Sequence, residues 1–294
     1  MDGVLVLDKP QGLTSHDVVA VVRRALHERR IGHTGTLDPL ATGVLPMACG
    51  RATRLVRFLS AAEKEYDATI LFGVTTDSYD ITGIETSRTS SMPRREAVVA
   101  ALDSLRGEYL QVPPSFSAKK IDGQRAYALA RRAEPVTLTA VTVRVPALEL
   151  VEFDRDRCSV RLTCSAGFYV RSFAHALGER VGTGACLEAL RRTRSGDFGL
   201  DVAVSVDELL AGSAEGPGGM LPIDTLLPQF PSVVVTDEGR ARISHGREIG
   251  AREIVGDAPG PVAWVRILDE GGALLAMGIP GAVQGSLHPE VVLI

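Results

Sequence analysis

This sequence has little of what marks a metal, redox or membrane protein. Its four cysteines, Cys49, Cys158, Cys164 and Cys186, form no C-x-x-C pair, and no histidine joins them at zinc-ligand spacing. They fit small buried hydrophobes in a reducing compartment. No apolar run approaches the roughly 18 residues needed to span a bilayer. The first residues, MDGVLVLDKPQG, set acids ahead of a short apolar run, unlike a secretory signal. The expectation is a cytoplasmic protein without membrane contact. There is no G-x-x-x-x-G-K-[ST] phosphate loop, no G-x-G-x-x-G after a strand and no G-x-S-x-G elbow. Asp, Glu and His do not cluster at metal-ligand spacing, so no metal is expected.

What is present is ordinary in bulk and uneven in distribution. The 294 residues are 45% hydrophobic and 23% charged, material for one large domain or for a large one with a small companion. The net charge of −4 divides into +4 over residues 1–200 and −8 over 201–294. Such asymmetry fits a polyanion-binding part joined to an acidic one, and also fits ordinary surface variation.

Along the chain, GVLVLDK alternates as a strand, and Thr14 or Ser15 caps a helix whose apolar face is Val18, Val19, Val22 and Leu26. RATRLVRFLS reads as a helix, KEYDATILFG as a strand, and PRREAVVAALDSLRG as an amphipathic helix closed by Gly107. Strands follow at VTVRVPALELVEF and CSVRLTCSA, then a helix at FYVRSFAHALGERVG. Between the amphipathic helix and the first of these strands, Pro113-Pro114 opens a protruding segment. It carries Lys119, Lys120, Arg125, Arg131 and Arg132 with Phe116 and Tyr127. Basic residues interleaved with aromatics suit phosphate tracking plus base stacking, and equally a solvated amphipathic helix. AGSAEGPGGMLP at 211–222 reads as a linker. A unit over about 230–294 follows: strand SVVVT, a short helix, a hairpin turning at EGG, and a last strand VVLI.

The densest text is RIGHTGTLDPLATGVLPMACG, from Arg30 to Gly50, which sets one carboxylate, Asp38, among glycine, threonine and proline. Small neighbours let a substrate sugar or backbone approach closely. A carboxylate kept ionised in a desolvated pocket needs a cation. Arg171, the lone charge in GFYVRSFA, is a candidate. On the residues alone, Asp38 reads either as an Asp turn or as a functional group, and Arg171 as a structural ion pair or as its partner.

Five segments in order carry a resemblance: KPQGLTSHDVV, GHTGTLDPLATGVLPMACGRATR, KEYDATILFGVTTDSYDITG, VPPSFSAKKIDGQRAYALAR and CSAGFYVRSFAHALG. Together they resemble the bacterial TruB family of tRNA pseudouridine synthases, over about residues 1–200. The resemblance implies an α+β pseudouridine synthase fold. Its central sheet would be mixed and mostly antiparallel, with a catalytic domain over 1–225, an RNA-binding thumb-like insertion at about 110–140, and a β-rich PUA-like module over 230–294. It implies a monomer that binds the T-arm stem-loop of tRNA and isomerises the uridine at tRNA position 55 without cofactor or metal.

Residue by residue, it makes Asp38 the nucleophile, Arg171 its partner and Tyr66 the aromatic packing on the target base. Tyr169 becomes a second pocket aromatic, Leu190 a pocket-lining apolar residue, and His33 the residue occupying the space of the flipped base. Lys64 falls near the start of the Tyr66 strand, with a structural or substrate-facing role. Lys119, Lys120 and Arg125 fall on the thumb as RNA contacts. The chain departs from the pattern at His175-Ala176, where many relatives carry an acidic residue before Leu177-Gly178. Two other readings stand beside this one: a uridine-specific N-glycoside hydrolase, for which the motif offers no second carboxylate, and an RNA chaperone without essential catalysis.

Overall fold

Strand β1 (Gly3–Lys9) contains the architecture in miniature. Its side chains alternate between two faces: Leu5 and Leu7 enter one hydrophobic cluster, Val4 and Val6 another. All four are essentially inaccessible to solvent. A strand apolar on both faces belongs at the centre of a sheet covered on both sides, and that is its place. The computed structural model describes residues 1–117, 120–121, 124–125, 132, 138–212, 219–256, 260 and 262–294.

The main sheet has ten strands among the described residues. Its path uses β1, β2 (Thr42–Cys49), β3 (Lys64–Phe72), β4 (Ala147–Asp154), β5 (Arg157–Cys164), β6 (Ala185–Ser195) and β7 (Val204–Ser205). They lie in the order β4–β5–β3–β6–β2–β1–β7. The β6/β2 and β1/β7 pairs are parallel and the other pairs along this path antiparallel. This is the mixed, mostly antiparallel sheet the sequence implied.

Helices cover one face. Helix α1 (Ser15–Ala25) starts from a reciprocal cap: Asp17 N–H donates to the Thr14 hydroxyl at 3.1 Å, and Thr14 N–H to the Asp17 carboxylate at 2.8 Å. Helix α2 is Arg95–Asp103, and α3 is Val170–Val181, which ends on Gly182 at φ 76°. Val18, Val19, Val22, Val98, Leu102, Phe173 and Leu177 pack from these helices onto Leu5, Leu7, Leu45, Met47 and Phe72.

The second face is covered by the tail. A five-stranded sheet built from Ser232–Val235, Ile254–Val255, Val265–Asp269, Leu274–Pro280 and Leu287–Val292 lays Leu274, Met277, Val291 and Leu293 into the cluster of Val4, Val6, Val44 and Ala48. Phe58 stands edge-on to Trp264 (4.8 Å) and Phe230 (5.7 Å), and Arg57 lies 4.5 Å above the Trp264 ring. Arg51 Nη1 donates to the Leu293 carbonyl at 2.7 Å. The tail is a structural half of the sheet's packing.

Local differences have local causes. RATRLVRFLS divides into a 3-10 turn, Gly50–Leu55, and one short α-helix, Val56–Ser60. Gly107 does not close α2, which is capped at Ser104; at φ 77° it opens the strand Gly107–Gln111. The 211–222 stretch does not lead straight away from the body. Residues 213–218 lie outside the described residues, and Leu221–Pro222 pairs with β1. The last strand is Leu287–Val292, earlier than VVLI suggested. No helix among the described residues is long and apolar enough to cross a membrane.

Candidate active site

The Asp38 loop runs from the short strand Ile31–His33 to β2 and is pinned to the start of α1. The buried Ser15 hydroxyl accepts from Leu37 N–H (2.8 Å) and donates to the Leu37 carbonyl (3.0 Å). Gly12 N–H donates to the Pro39 carbonyl at 2.8 Å, and Ala41 N–H to that of Asp38 at 3.0 Å. Leu37 and Ala41 are buried on either side. The turn is therefore fixed by its flanks, and Asp38 is left at its tip.

Arg171 sits in the first turn of α3, where the helix dipole disfavours a cation. Two carboxylates offset this. Nε lies 2.9 Å from Asp38 Oδ2 and 3.7 Å from Asp80 Oδ2. The remaining donors are used as well: Nη1 donates to the Ser78 carbonyl (3.0 Å) and Nη2 to the Phe116 carbonyl (2.8 Å). The Arg171 side chain is 7% exposed, Asp80 6% and Asp38 41%. A guanidinium fixed on several sides thus presents one carboxylate that remains open to solvent.

Asp80 is held by its own turn: its Oδ1 accepts from Ser78 Oγ (3.0 Å), Thr82 N–H (3.0 Å) and the Thr82 hydroxyl (2.5 Å). Sequence reasoning missed it. DSYDITG looks like any turn rich in Asp, Ser and Thr, and only the arrival of Arg171 distinguishes Asp80 from Asp77.

Beneath the loop lies a second cationic group that was also missed. Lys9 is fully buried, with Nζ donating to the carbonyls of Pro10 (2.9 Å) and Leu13 (2.7 Å). Burial pulls its pKa down to about 8, against the pull of Asp38 upward. Arg192 is equally buried, donating from Nε to the Val44 carbonyl (2.7 Å) and from Nη2 to that of Gly35 (3.1 Å). The β6 register turns it inward.

The same register explains Gly43. At φ 98°, a Cβ there would lie 2.2 Å from the Arg192 carbonyl oxygen. Its smallness serves the close β2/β6 contact, not the approach of a substrate as the sequence suggested.

Tyr66 on β3 is buried, and burial raises its phenol pKa, with Arg192 opposing; Asp38 is near enough to add to the rise. Tyr169, the N-cap of α3, has a pKa raised first by burial, also with Asp38 and Arg171 in electrostatic reach. Its backbone is tied to Gln111, whose Oε1 accepts from Tyr169 N–H (2.8 Å) and whose Nε2 donates to the Tyr169 carbonyl (3.1 Å).

A cleft of about 410 Å³ is lined by Gln11, Leu40, Thr42, Asp67, Arg161 and Leu190 among others; of the expected site residues Leu190 lines it, and Asp38, Tyr66, Tyr169 and Arg171 do not. His33 is half-buried, its Nδ1 without a hydrogen-bond partner; burial, then Arg192, lowers its pKa. Lys64 is buried and donates to the carbonyls of Ser60 and Ala62, geometry that supports the structural one of its two expected roles. Lys119 lies outside the described residues. Of Lys120 and Arg125 only the backbone is described, in two paired strands, Lys120–Ile121 and Gln124–Arg125.

Comparison with known proteins gives the family and the fold. The model of the TruB family pseudouridylate synthase N-terminal domain matches residues 23–170, and that of the tRNA pseudouridylate synthase B C-terminal domain matches 171–227. The chain is 43% identical over 296 residues to a tRNA pseudouridine synthase B of Solibacter usitatus (strain Ellin6076), covering 100% of both. It is 40% identical over 291 residues to one from Azoarcus sp. (strain BH72), covering 99% of this chain and 94% of that relative. Among solved structures, the archaeal box H/ACA sRNP Nop10–Cbf5 complex matches with a TM-score of 0.75 at 27% identity, over 99% of this chain and 86% of that one. An H/ACA RNP bound to a substrate RNA containing 2′-deoxyuridine matches with a TM-score of 0.73 at 26% identity, over 99% and 85%.

Proposed function

The chain belongs to the TruB family of pseudouridine synthases, which isomerise uridine to pseudouridine in tRNA, and from that premise we propose that it acts on the uridine of the T-arm loop with Asp38 as the nucleophile. The observation that carries the assignment is the Arg171–Asp38 pair, a buried guanidinium 2.9 Å from a carboxylate that is still 41% exposed. Such a carboxylate is aimed by its partner while remaining accessible to a sugar.

In this reading the target nucleotide leaves its stack and its sugar meets the exposed Asp38 carboxylate. The Asp38 carboxylate attacks C1′ as the C1′–N1 bond breaks and its electron pair goes to the uracil ring. The freed uracil turns, C5 bonds to C1′ as Asp38 departs, and the C5 proton is lost while N1 gains one. Atoms and electrons balance within the nucleotide. Tyr66 and Tyr169 flank the base, and Tyr66, kept as a phenol by its raised pKa, offers a surface and a hydroxyl close to the reacting ring. Leu190 supports the other side from β6, and His33 fills space next to the loop. The Arg171–Phe116 hydrogen bond ties the base of the 110–140 insertion to the same guanidinium, which suits a thumb that closes over RNA. Residues 1–225 act as the catalytic domain, and residues 230–294 as the module that braces the sheet from behind.

Tritium release from tRNA labelled at uridine C5, with the product mapped by position, tests this. Release confined to the T-arm loop uridine is expected. Release at another tRNA uridine, with the T-arm unmodified, contradicts the substrate assignment. Free uracil as the product contradicts isomerisation.

A further inference from the structure

Besides Asp38 and the Phe116 carbonyl, Arg171 is held by the segment Ser78–Asp80. The Ser78 carbonyl takes Nη1 and the Asp80 carboxylate stands 3.7 Å from Nε. Between these two groups is Tyr79, and its backbone adopts φ 64°. An aromatic residue in the left-handed region persists only where its surroundings hold it there.

Two restraints are visible. On one side, the strand β6 grips the backbone: Leu187 N–H donates to the Tyr79 carbonyl and Ile81 N–H to the Leu187 carbonyl, each at 2.9 Å. On the other, the Tyr79 ring lies face to face on His175, with centroids 4.0 Å apart and planes 4° from parallel. His175 follows Arg171 by four residues on α3, so both project from one face of the same helix. The stack therefore docks the segment carrying Ser78 and Asp80 onto the very helix that carries Arg171. The buried His175 Nδ1 has no hydrogen-bond partner among the described residues, and the imidazole packs through its ring face.

We propose that Tyr79 and His175 are a positioning pair: their stack fixes the Ser78 carbonyl and the Asp80 carboxylate, and through them the aim of Arg171 at Asp38. Neither residue touches the substrate. The inference rests on the function proposed above for Asp38 and Arg171.

The test is a series of full-length variants, His175→Ala, His175→Phe, Tyr79→Phe and Tyr79→Asn. Each is measured for its single-turnover rate at saturating tRNA and for tRNA dissociation constant. His175→Ala should lose about tenfold in rate with affinity unchanged within about twofold, the size of effect a small misalignment produces. Phenylalanine at position 175 keeps a flat ring and should recover the rate to within about threefold. Tyr79→Phe should match the wild type. Tyr79→Asn, which tolerates positive φ but has no ring, should be as slow as His175→Ala.

The proposal is overturned if His175→Ala or Tyr79→Asn turns over at the wild-type rate, if His175→Phe is as slow as His175→Ala, or if the loss falls on affinity. Should His175→Ala not fold, the two Tyr79 variants carry the test alone. Pseudouridine formation by the wild type and its loss in Asp38→Asn report on the underlying reading; the ratio of ringed to ringless variants reports on the stack.

Discussion

Two loops bring a carboxylate to the same guanidinium, and they do so in opposite ways. The loop bearing Asp80 spends its acid: both oxygens are engaged, by Ser78, Thr82 and Arg171, and the side chain is shut from solvent. The loop bearing Asp38 fixes only its flanks, through Ser15, Gly12 and the buried Leu37 and Ala41, and leaves the acid itself with Arg171 and open space. One carboxylate holds the arginine; the other, in the function proposed, is the acid the arginine aims. Burial and saturation, rather than proximity, separate a holding acid from a reacting one.

Removing the shared cation breaks both arms at once and should have the largest effect. Arg171→Ala should lower single-turnover pseudouridine formation by at least roughly 10³-fold. It should also lower stability by about 3–5 kcal/mol, because Asp80 stays buried without its counter-charge; denaturant unfolding beside rapid-quench turnover checks both. Asp80→Asn breaks only the holding arm. It should slow turnover about 10–100-fold through misalignment while tRNA affinity stays within about twofold, measured by filter binding and single-turnover rates.

The ground under the reacting arm can be probed by pH. Lys9 has its folded pKa lowered to about 8 by burial, whereas the unfolded chain holds that proton until roughly 10.5. Below about pH 8 the folded state therefore carries the full penalty of a buried ammonium. Between about 8 and 10.5 the unfolded state binds more protons, and the penalty is relieved. Relative to Lys9→Met, the wild type should gain stability across that window, as read from paired urea titrations; a constant difference would contradict a buried, charged Lys9. The smallest effect is expected far from both arms. Arg57→Ala loses a cation over Trp264 and should cost about 0.5–1 kcal/mol with turnover within about twofold.

Much of this was legible in the residues. Period-2 alternation marked β1, an N-cap at Thr14 or Ser15 marked α1, and the ordered motifs paired Asp38 with Arg171, which lie 2.9 Å apart. The rest depended on long-range register. Arg192 resembles its neighbours Arg191 and Arg194 in text, and only the pairing of β6 with β2 and β3 decides which of them turns inward. Asp80 is one acid in a polar turn until α3 delivers Arg171 to it. The acidic tail read as a module beyond a linker, because nothing in Val4 and Val6 says that Leu274, Met277 and Val291 will cover them. Deleting 230–294 would consequently uncover the second face of the sheet, so loss of RNA binding in such a truncation would follow from unfolding as readily as from a lost contact.

The central claim is that Asp38 is the reacting carboxylate, and Asp38→Asn tests it most directly, because the side chain is half-exposed and its replacement leaves the packing alone. In tritium release from the T-arm uridine, the account predicts a loss of roughly 10⁴-fold or more, the scale of removing a nucleophile, with tRNA affinity and unfolding midpoint close to wild type. Substantial pseudouridine from a folded, tRNA-binding Asp38→Asn enzyme would contradict it.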